Sequence, residues 1–315
     1  MRIFNRLRES AGLAVLFLVC VISAWVLIGC SGQSSDSLTY YNPVWSSSGG
    51  IYAVKETIKS YSSGGFVSTA GQDRHSYIVI MDSDGKNESI LMDVGVERYP
   101  RMNASPSGNY LAMTDGHGLG IFDVHNGYAK VSQINVDDAY GALTFFDWSP
   151  DEGSLIINTE TGHIGIYSRG GVGPELLSSL EYIYAWKYNE MIVGQFGFGE
   201  GVSHNVRFVE SNNTIVAENS DAFAPIEYFS DGQSYFGGGG SGGYKKIGLD
   251  FTVFETYTAL KTELDKEPEV YDLSLNPAIP TQLLFSQGSG STFDTLAHEG
   301  IFTINLDGTG RKQVK

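Results

Sequence analysis

Trp148-Ser149-Pro150-Asp151-Glu152-Gly153, followed by the apolar run Leu155-Ile156-Ile157, is the phrase on which the fold turns. Its copies read Trp45-Ser46-Ser47-Ser48-Gly49 and Ala104-Ser105-Pro106-Ser107-Gly108. Weaker forms stand at Trp186-Lys187-Tyr188-Asn189, Phe229-Ser230-Asp231-Gly232 and Leu275-Asn276-Pro277. The lead positions 45, 104, 148, 186, 229 and 275 are 59, 44, 38, 43 and 46 residues apart. A period of roughly 40–45 residues with strand-turn-strand content is that of a propeller blade.

Each phrase runs into a short apolar segment: Ile51–Val54, Tyr110–Met113, Leu155–Ile157, Met191–Val193, Ser234–Phe236 and Leu283–Phe285. Such runs, bounded by Gly and Ser, predict strands buried on both faces. A second run follows in every unit, at Tyr77–Met81, Leu119–Val124, Ile164–Tyr167, Val206–Val209, Ile247–Phe254 and Ile301–Leu306. Short outer segments come next, such as Ser89–Met92, Ala129–Ile134, Thr214–Ala217 and Gln313-Val314. With the strand that carries the phrase, each unit has four, which predicts an all-β, six-bladed propeller of four-stranded antiparallel blades. A seventh blade would have to lie between Val54 and Ala104. No 3.6-residue periodicity runs for ten residues after the N-terminal apolar segment, so no helix is expected in the repeats. Within the phrase, the closing Gly supplies positive φ for a tight turn. Ser-Pro opens that turn. The lead aromatic is expected to fill the wedge between neighbouring blades.

The N-terminus reads differently. Arg2, Arg6 and Arg8 precede the apolar run Leu13–Ile28, which is shorter than the about 20 residues of a spanning helix and suits a signal-peptide core. It ends in Leu27-Ile28-Gly29-Cys30, which resembles a bacterial lipobox. The resemblance implies cleavage after Gly29 and acylation of Cys30, with the added chains, palmitate among them, holding the protein firmly to a membrane. Residues 1–29 are then a signal peptide, residues 30–37 a lipidated Cys with a Ser/Gly/Gln/Asp tether, and residues 38–315 the propeller domain. Cys20 would leave with the signal, so Cys30 is the remaining thiol and no disulfide is expected. Cleavage removes three Arg and one Glu, which takes the formal charge from −16 to −18. That acidity excludes nucleic acid as a partner, because phosphate binding needs clustered Lys and Arg.

Trp148-Ser-Pro-Asp151 with its apolar strand resembles the repeat of TolB-type, WD40-like propellers, as do Ile78-Val-Ile-Met-Asp-Ser-Asp-Gly85 and Ile301-Phe-Thr-Ile-Asn-Leu-Asp-Gly308. The resemblance spans about residues 38–315, with the weakest matches at Asn189 in place of a turn Gly and Phe229-Ser230 without Pro. It implies kinship with periplasmic scaffold proteins and with the propeller halves of some peptidases. Peptidases of that type carry a further hydrolase domain, and none is expected in a sequence running to Lys315.

The histidines fall into the frame of the repeats. His75, His117 and His298 each stand ten residues before a turn Gly, at Gly85, Gly127 and Gly308. His163 and His204 occupy the same place, just before the third strand of their units. Glu56, Asp115 and Glu160 end second strands, and Asp115–His117 and Glu160–His163 are predicted to face each other across tight hairpins. A His with a carboxylate could serve a cation, a ligand or a general base. Third strands of adjacent blades are well over about 10 Å apart, given about 4.8 Å per strand, which is too far for one shared metal. A position repeated in five of the six units reads better as blade architecture.

Two further motifs read as loops. Gly237–Gly243 fits G-x-S-x-G at Ser241 but lacks the strand-to-helix elbow that a nucleophile needs. Asp82-Ser-Asp84-Gly85 opens like a calcium loop yet has no Glu at its twelfth position, and it reads as a turn. The expectation is a monomeric, non-enzymatic, lipid-anchored envelope module without cofactor or metal. It would sit on the periplasmic face of an outer membrane where the organism has one. It would bind a protein, peptide or glycan on its flat face or at the channel mouth. The competing expectation is a glycan or peptide hydrolase or lyase working through the same face.

Overall fold

In a computed structural model the residues described are 33–63, 69–95, 100–114, 118–136, 140–196, 204–223, 225–238, 243–266, 270–289 and 297–315. Residues 1–32, with the signal peptide and Cys30, lie outside them, as do Asp115, His117 and Ser241. No helix among the described residues is long and apolar enough to cross a membrane.

Six sheets follow one another along the chain, each of four consecutive antiparallel strands. Blade 1 is β1 (Gln33–Trp45), β2 (Ile51–Ser63), β3 (Thr69–Met81) and β4 (Ser89–Gly95). Blade 2 is β5 (Met102–Ala104), β6 (Tyr110–Thr114), β7 (Leu119–Asp123) and β8 (Ala129–Ile134). Blade 3 is β9 (Leu143–Trp148), β10 (Ser154–Thr159), β11 (Ile164–Ser168) and β12 (Glu175–Leu176). Blade 4 is β13 (Tyr182–Ala185), β14 (Met191–Gln195), β15 (His204–Glu210) and β16 (Ile215–Ala222). Blade 5 is β17 (Pro225–Tyr228), β18 (Ser234–Gly238), β19 (Tyr244–Gly248) and β20 (Val253–Tyr257), and blade 6 is β21 (Val270–Leu275), β22 (Gln282–Ser289), β23 (Ala297–Asn305) and β24 (Lys312–Gln313). The segment between Val54 and Ala104 is taken up by the long strands of blade 1, which settles six blades over seven.

The chain divides into two compact units. Residues 39–56 and 76–315 form the propeller; residues 33–38 and 57–75, from β1, β2 and β3, form the other. Within the smaller unit, Thr57 Oγ1 donates to the His75 carbonyl at 3.3 Å.

Apolar clusters join each blade of the propeller to the next. Trp148 packs with Ala112, Leu119 and Ile121 of blade 2, and Trp186 with Ile156 and Ile164 of blade 3. Trp45, Ile51 and Val79 of blade 1 meet Leu284, Ile301 and Val314 of blade 6, so among the described residues packing closes the ring without a strand shared between its first and last blades. The second strands are buried along their centres on both faces, as the continuous apolar runs predict.

Four expectations need correction. A short helix, α1 (Thr258–Leu264), follows β20 and buries Leu260 and Leu264 in the wedge between blades 5 and 6. Its apolar pair spans a single turn, too little to show as periodicity. The predicted third strand Ile247–Phe254 is instead the end of β19, a turn in which Phe251 N donates to Gly248 O, and the start of β20. In blade 5 the lead residue is Tyr228. Phe229 N donates to Ser234 O and Gly232 N to Phe229 O, the pattern that Ser105 makes with Tyr110 and Gly108. Tyr228 also reaches back to blade 4, its hydroxyl donating to the Met191 carbonyl at 3.1 Å. In blade 3 the positive φ of the turn falls on Glu152, at 59°, rather than on Gly153; Glu152 N makes the bond to Ser149 O that Gly108 N makes to Ser105 O.

Candidate functional site

The first strand of every blade lines one cavity of about 370 Å³, which places β1, β5, β9, β13, β17 and β21 around the central channel. With Tyr228 as the fifth lead, the residue before each lead reads Val44, Asn103, Asp147, Ala185, Glu227 and Ser274, and all six face the cavity. Three residues before the lead stand Asn42, Arg101, Phe145 and Asp272, which line it as well. The two positions form two layers. Arg101 and Asp272, three before their leads, are exposed, while Asp147 is 4% exposed and Lys187, which follows its lead and joins the same level, is 9% exposed, so water reaches the outer layer and the inner one is the floor. Beneath that floor a small pocket on the phrase side shares Lys187, Glu227 and Ser274.

The floor is a hydrogen-bonded network across blades. Asp147 Oδ1 accepts from Asn103 Nδ2 at 2.8 Å and from Trp148 N at 2.9 Å, and its Oδ2 from Trp186 N at 2.9 Å. One carboxylate thereby ties blades 2, 3 and 4. Lys187 Nζ donates to Asn103 Oδ1 at 2.8 Å and stands 3.9 Å from Glu227 Oε1. Glu227 Oε2 accepts from Leu275 N at 2.8 Å, which ties blade 5 to blade 6. Burial raises the pKa of both Asp147 and Glu227 against the opposing pull of Lys187. Burial works against the charge of Lys187, but Tyr188, Glu227 and Asp147 hold its pKa above the ordinary lysine value. An ammonium between two buried carboxylates is the arrangement that keeps buried charge tolerable.

The water-reached layer is strained. Asn42 and Asp272 have φ of 47° and 54°, left-handed values that Asn and Asp tolerate better than other residues with a Cβ. The pairing of β21 with β22 slips between Tyr271 and Ser274, which turns Asp272 out of the regular ladder. Its Oδ2 accepts from Ser286 Oγ at 2.7 Å. Enclosure by protein raises its pKa, opposed by Ser286, Arg101 and the Asn42 amide. Arg101 donates to the Thr144 carbonyl. Aromatic faces flank the layer: Phe145 and Tyr182 centroids are 6.2 Å apart, and Tyr182 meets Tyr184 edge-on at 5.4 Å.

Of the residues singled out by sequence, the described ones, Glu56, His75, Glu160, His163, His204 and His298, are not among those that line the cavity. His163, His204 and His298 do stand at the entry to third strands, before β11, at the start of β15 and early in β23. His163 stacks on Tyr140 with ring centroids 3.5 Å apart, and no bond among the described residues joins it to the exposed Glu160. Glu56 is buried in β2, and His75 is half-buried in the smaller unit. No group of three His, Cys, Asp or Glu among the described residues could hold a metal ion. Asp82–Gly85 is a turn, closed by Gly85 N to Asp82 O at 2.8 Å. Sequence reasoning missed Asp147, Lys187, Glu227 and Asp272. Their signal was a polar residue close to the lead, one before it at Asp147 and Glu227, three before it at Asp272 and one after it at Lys187, next to or inside strands that the repeat demands be buried.

No protein-family model matches the chain, and no curated protein matches it. Among solved structures it is similar to a protein from Agrobacterium tumefaciens described as a putative TolB, with a TM-score of 0.51 at 15% identity over 73% of this chain and 84% of that one. TolB from Acinetobacter baumannii has a TM-score of 0.49 at 10% identity, over 92% of this chain and 81% of that one. A chain of a mitotic checkpoint complex has a TM-score of 0.49 at 11% identity, over 89% and 82%. At such identity the likeness is one of fold, and the propeller that the repeat predicts is the fold shared with the first of them.

Proposed function

We propose that the protein is a non-enzymatic binding module of the bacterial envelope, held to the membrane through acylated Cys30 and taking a protein, peptide or glycan partner at the channel. The observation that carries this reading is how the floor carboxylates are used. Asp147 and Glu227 accept backbone N–H groups from the next blade, Trp186 and Leu275, and so act as ties between blades. A group so engaged is poorly placed to move protons. The cavity itself is of the size and mixed character of a ligand site. The hydrolase or lyase reading draws on one observation, three carboxylates of raised pKa around one cavity.

Capture from envelope extracts with the full lipidated chain, run beside turnover assays on glycan and peptide libraries, separates the two. The binding reading expects a partner that competes for the channel and no turnover. Turnover abolished by Glu227→Gln, with no partner recovered, would overturn it. Loss of membrane association in Cys30→Ala checks the anchor.

A further inference from the structure

We infer that the channel is a receptor for an organic cation, an amine or guanidinium head seated against Asp272 and Glu227 with an apolar body against Phe145 and Tyr184. This rests on the binding reading above and names the chemistry of its ligand. Three carboxylates, Asp147, Glu227 and Asp272, face the cavity against two cations, Arg101 and Lys187. Both cations already have acceptors in the protein, the Thr144 carbonyl and Asn103 Oδ1. Glu227 takes hydrogen bonds from Leu275 N and the Ser274 side chain, both neutral donors, while its one cation, Lys187, stands 3.9 Å away, beyond hydrogen-bond length. Burial raises the pKa of all three carboxyls against the pull of Lys187 and Arg101, and a bound cation would act in the same direction as those two, toward the charged form.

The shape of the wall selects the kind of cation. Pro43, Val44, Met102, Phe146, Ile226 and Leu273 make much of the lining, a poor solvent for a hydrated metal ion and a good one for a hydrocarbon body. Phe145 and Tyr184 offer aromatic surface on which a hydrocarbon body can pack beside the charged head. Water-exposed Asp272 is where such a head would first exchange solvent for protein, and Glu227 lies deeper, at the floor. The formal charge of −16 on the whole chain raises the local concentration of cations around it.

Calorimetric titration of the full chain in detergent with phenethylamine and with N-acetylarginine amide, against phenylacetate and calcium chloride, tests the inference. We expect saturable one-to-one binding of both cations, at least about tenfold tighter than phenylacetate, as one additional ion pair would give. Asp272→Asn and Glu227→Gln should each weaken it about tenfold, while Asp250→Asn in an exposed turn should not. Asp272→Asn carries the comparison if Glu227→Gln fails to melt as a folded protein. No binding of either cation, phenylacetate binding as tightly, or calcium displacing the amines would overturn the proposal. Capture of an envelope partner without any amine binding sinks this ligand class alone and leaves the binding reading in place.

Discussion

Glu152 shows how a repeat is kept after its glycine has gone. In blades 1 and 2 the positive-φ place in the phrase turn belongs to Gly49 and Gly108, while in blade 3 Glu152 holds φ at 59°. Its carboxylate accepts the backbone N–H of Ser107 in blade 2, a bond that no glycine could make. A left-handed residue with a Cβ costs about 1–2 kcal/mol, and a hydrogen bond to a charged group contributes about 1.5–3 kcal/mol. The bond therefore outweighs the strain. Glu152→Ala, which loses the bond and keeps the strain, should be more destabilising in urea than Glu152→Gly by about 1 kcal/mol. Equal losses would show that the turn carries no strain. The sequence displayed the Gly at 153 and concealed this, because the turn keeps the register of blade 2 and Glu152 stands four residues after its lead, where Gly108 stands after Ala104. It concealed Tyr228 in the same way: two adjacent aromatics, Tyr228-Phe229, offer two registers, and only hydrogen bonding chooses between them.

At the scale of elements, the phrase strands and the buried second strands were legible because Gly-punctuated apolar runs have few other solutions. The helix α1 and the break between β19 and β20 were not, since each depends on packing in one wedge rather than on a repeated pattern. The contact between outer elements of blades 1 and 6 was equally invisible. Glu88, in the turn from β3 to β4, takes Lys55 Nζ at 2.6 Å, Tyr40 OH at 2.7 Å and Lys315 Nζ at 2.9 Å. Burial alone would raise its pKa, but Lys55, Lys315 and Tyr40 bring it down to about 2 from 4.5. A carboxylate depressed on folding contributes stability that is present above the unfolded value and is lost as pH falls through the folded one. Acid melts should therefore show this contribution fading between about pH 4.5 and 2. In Glu88→Gln the melting temperature should fall less steeply across that window than in the wild type. An unchanged slope would remove Glu88 from the closure of the ring.

For the whole molecule, the channel follows from the same repeat that makes the blades. One offset from each lead residue supplies the floor, joined by Lys187 from just after its lead, and another supplies Asn42, Arg101, Phe145 and Asp272, so ring closure and site assembly are a single event. That is why the site was harder to read than the fold. Polar residues scattered 40 or more positions apart converge only once six strands share an axis. Ring closure itself is a matter of wedge packing. Trp45 between blades 1 and 6 is 3% exposed and donates to Ser274 O at 3.3 Å. Trp148 between blades 2 and 3 is fully buried and donates to Asn103 O at 3.1 Å. With no strand shared across the closure, the Trp45 wedge is built like the others and should be no weaker. Trp45→Ala and Trp148→Ala should each cost about 3–5 kcal/mol, as aromatic truncations in packed cores do. Equilibrium denaturation followed by both fluorescence and circular dichroism should show single transitions for both variants. If Trp45→Ala alone separated the two probes, the closure would be a distinct weak seam, and blade 6 would open before the rest of the ring.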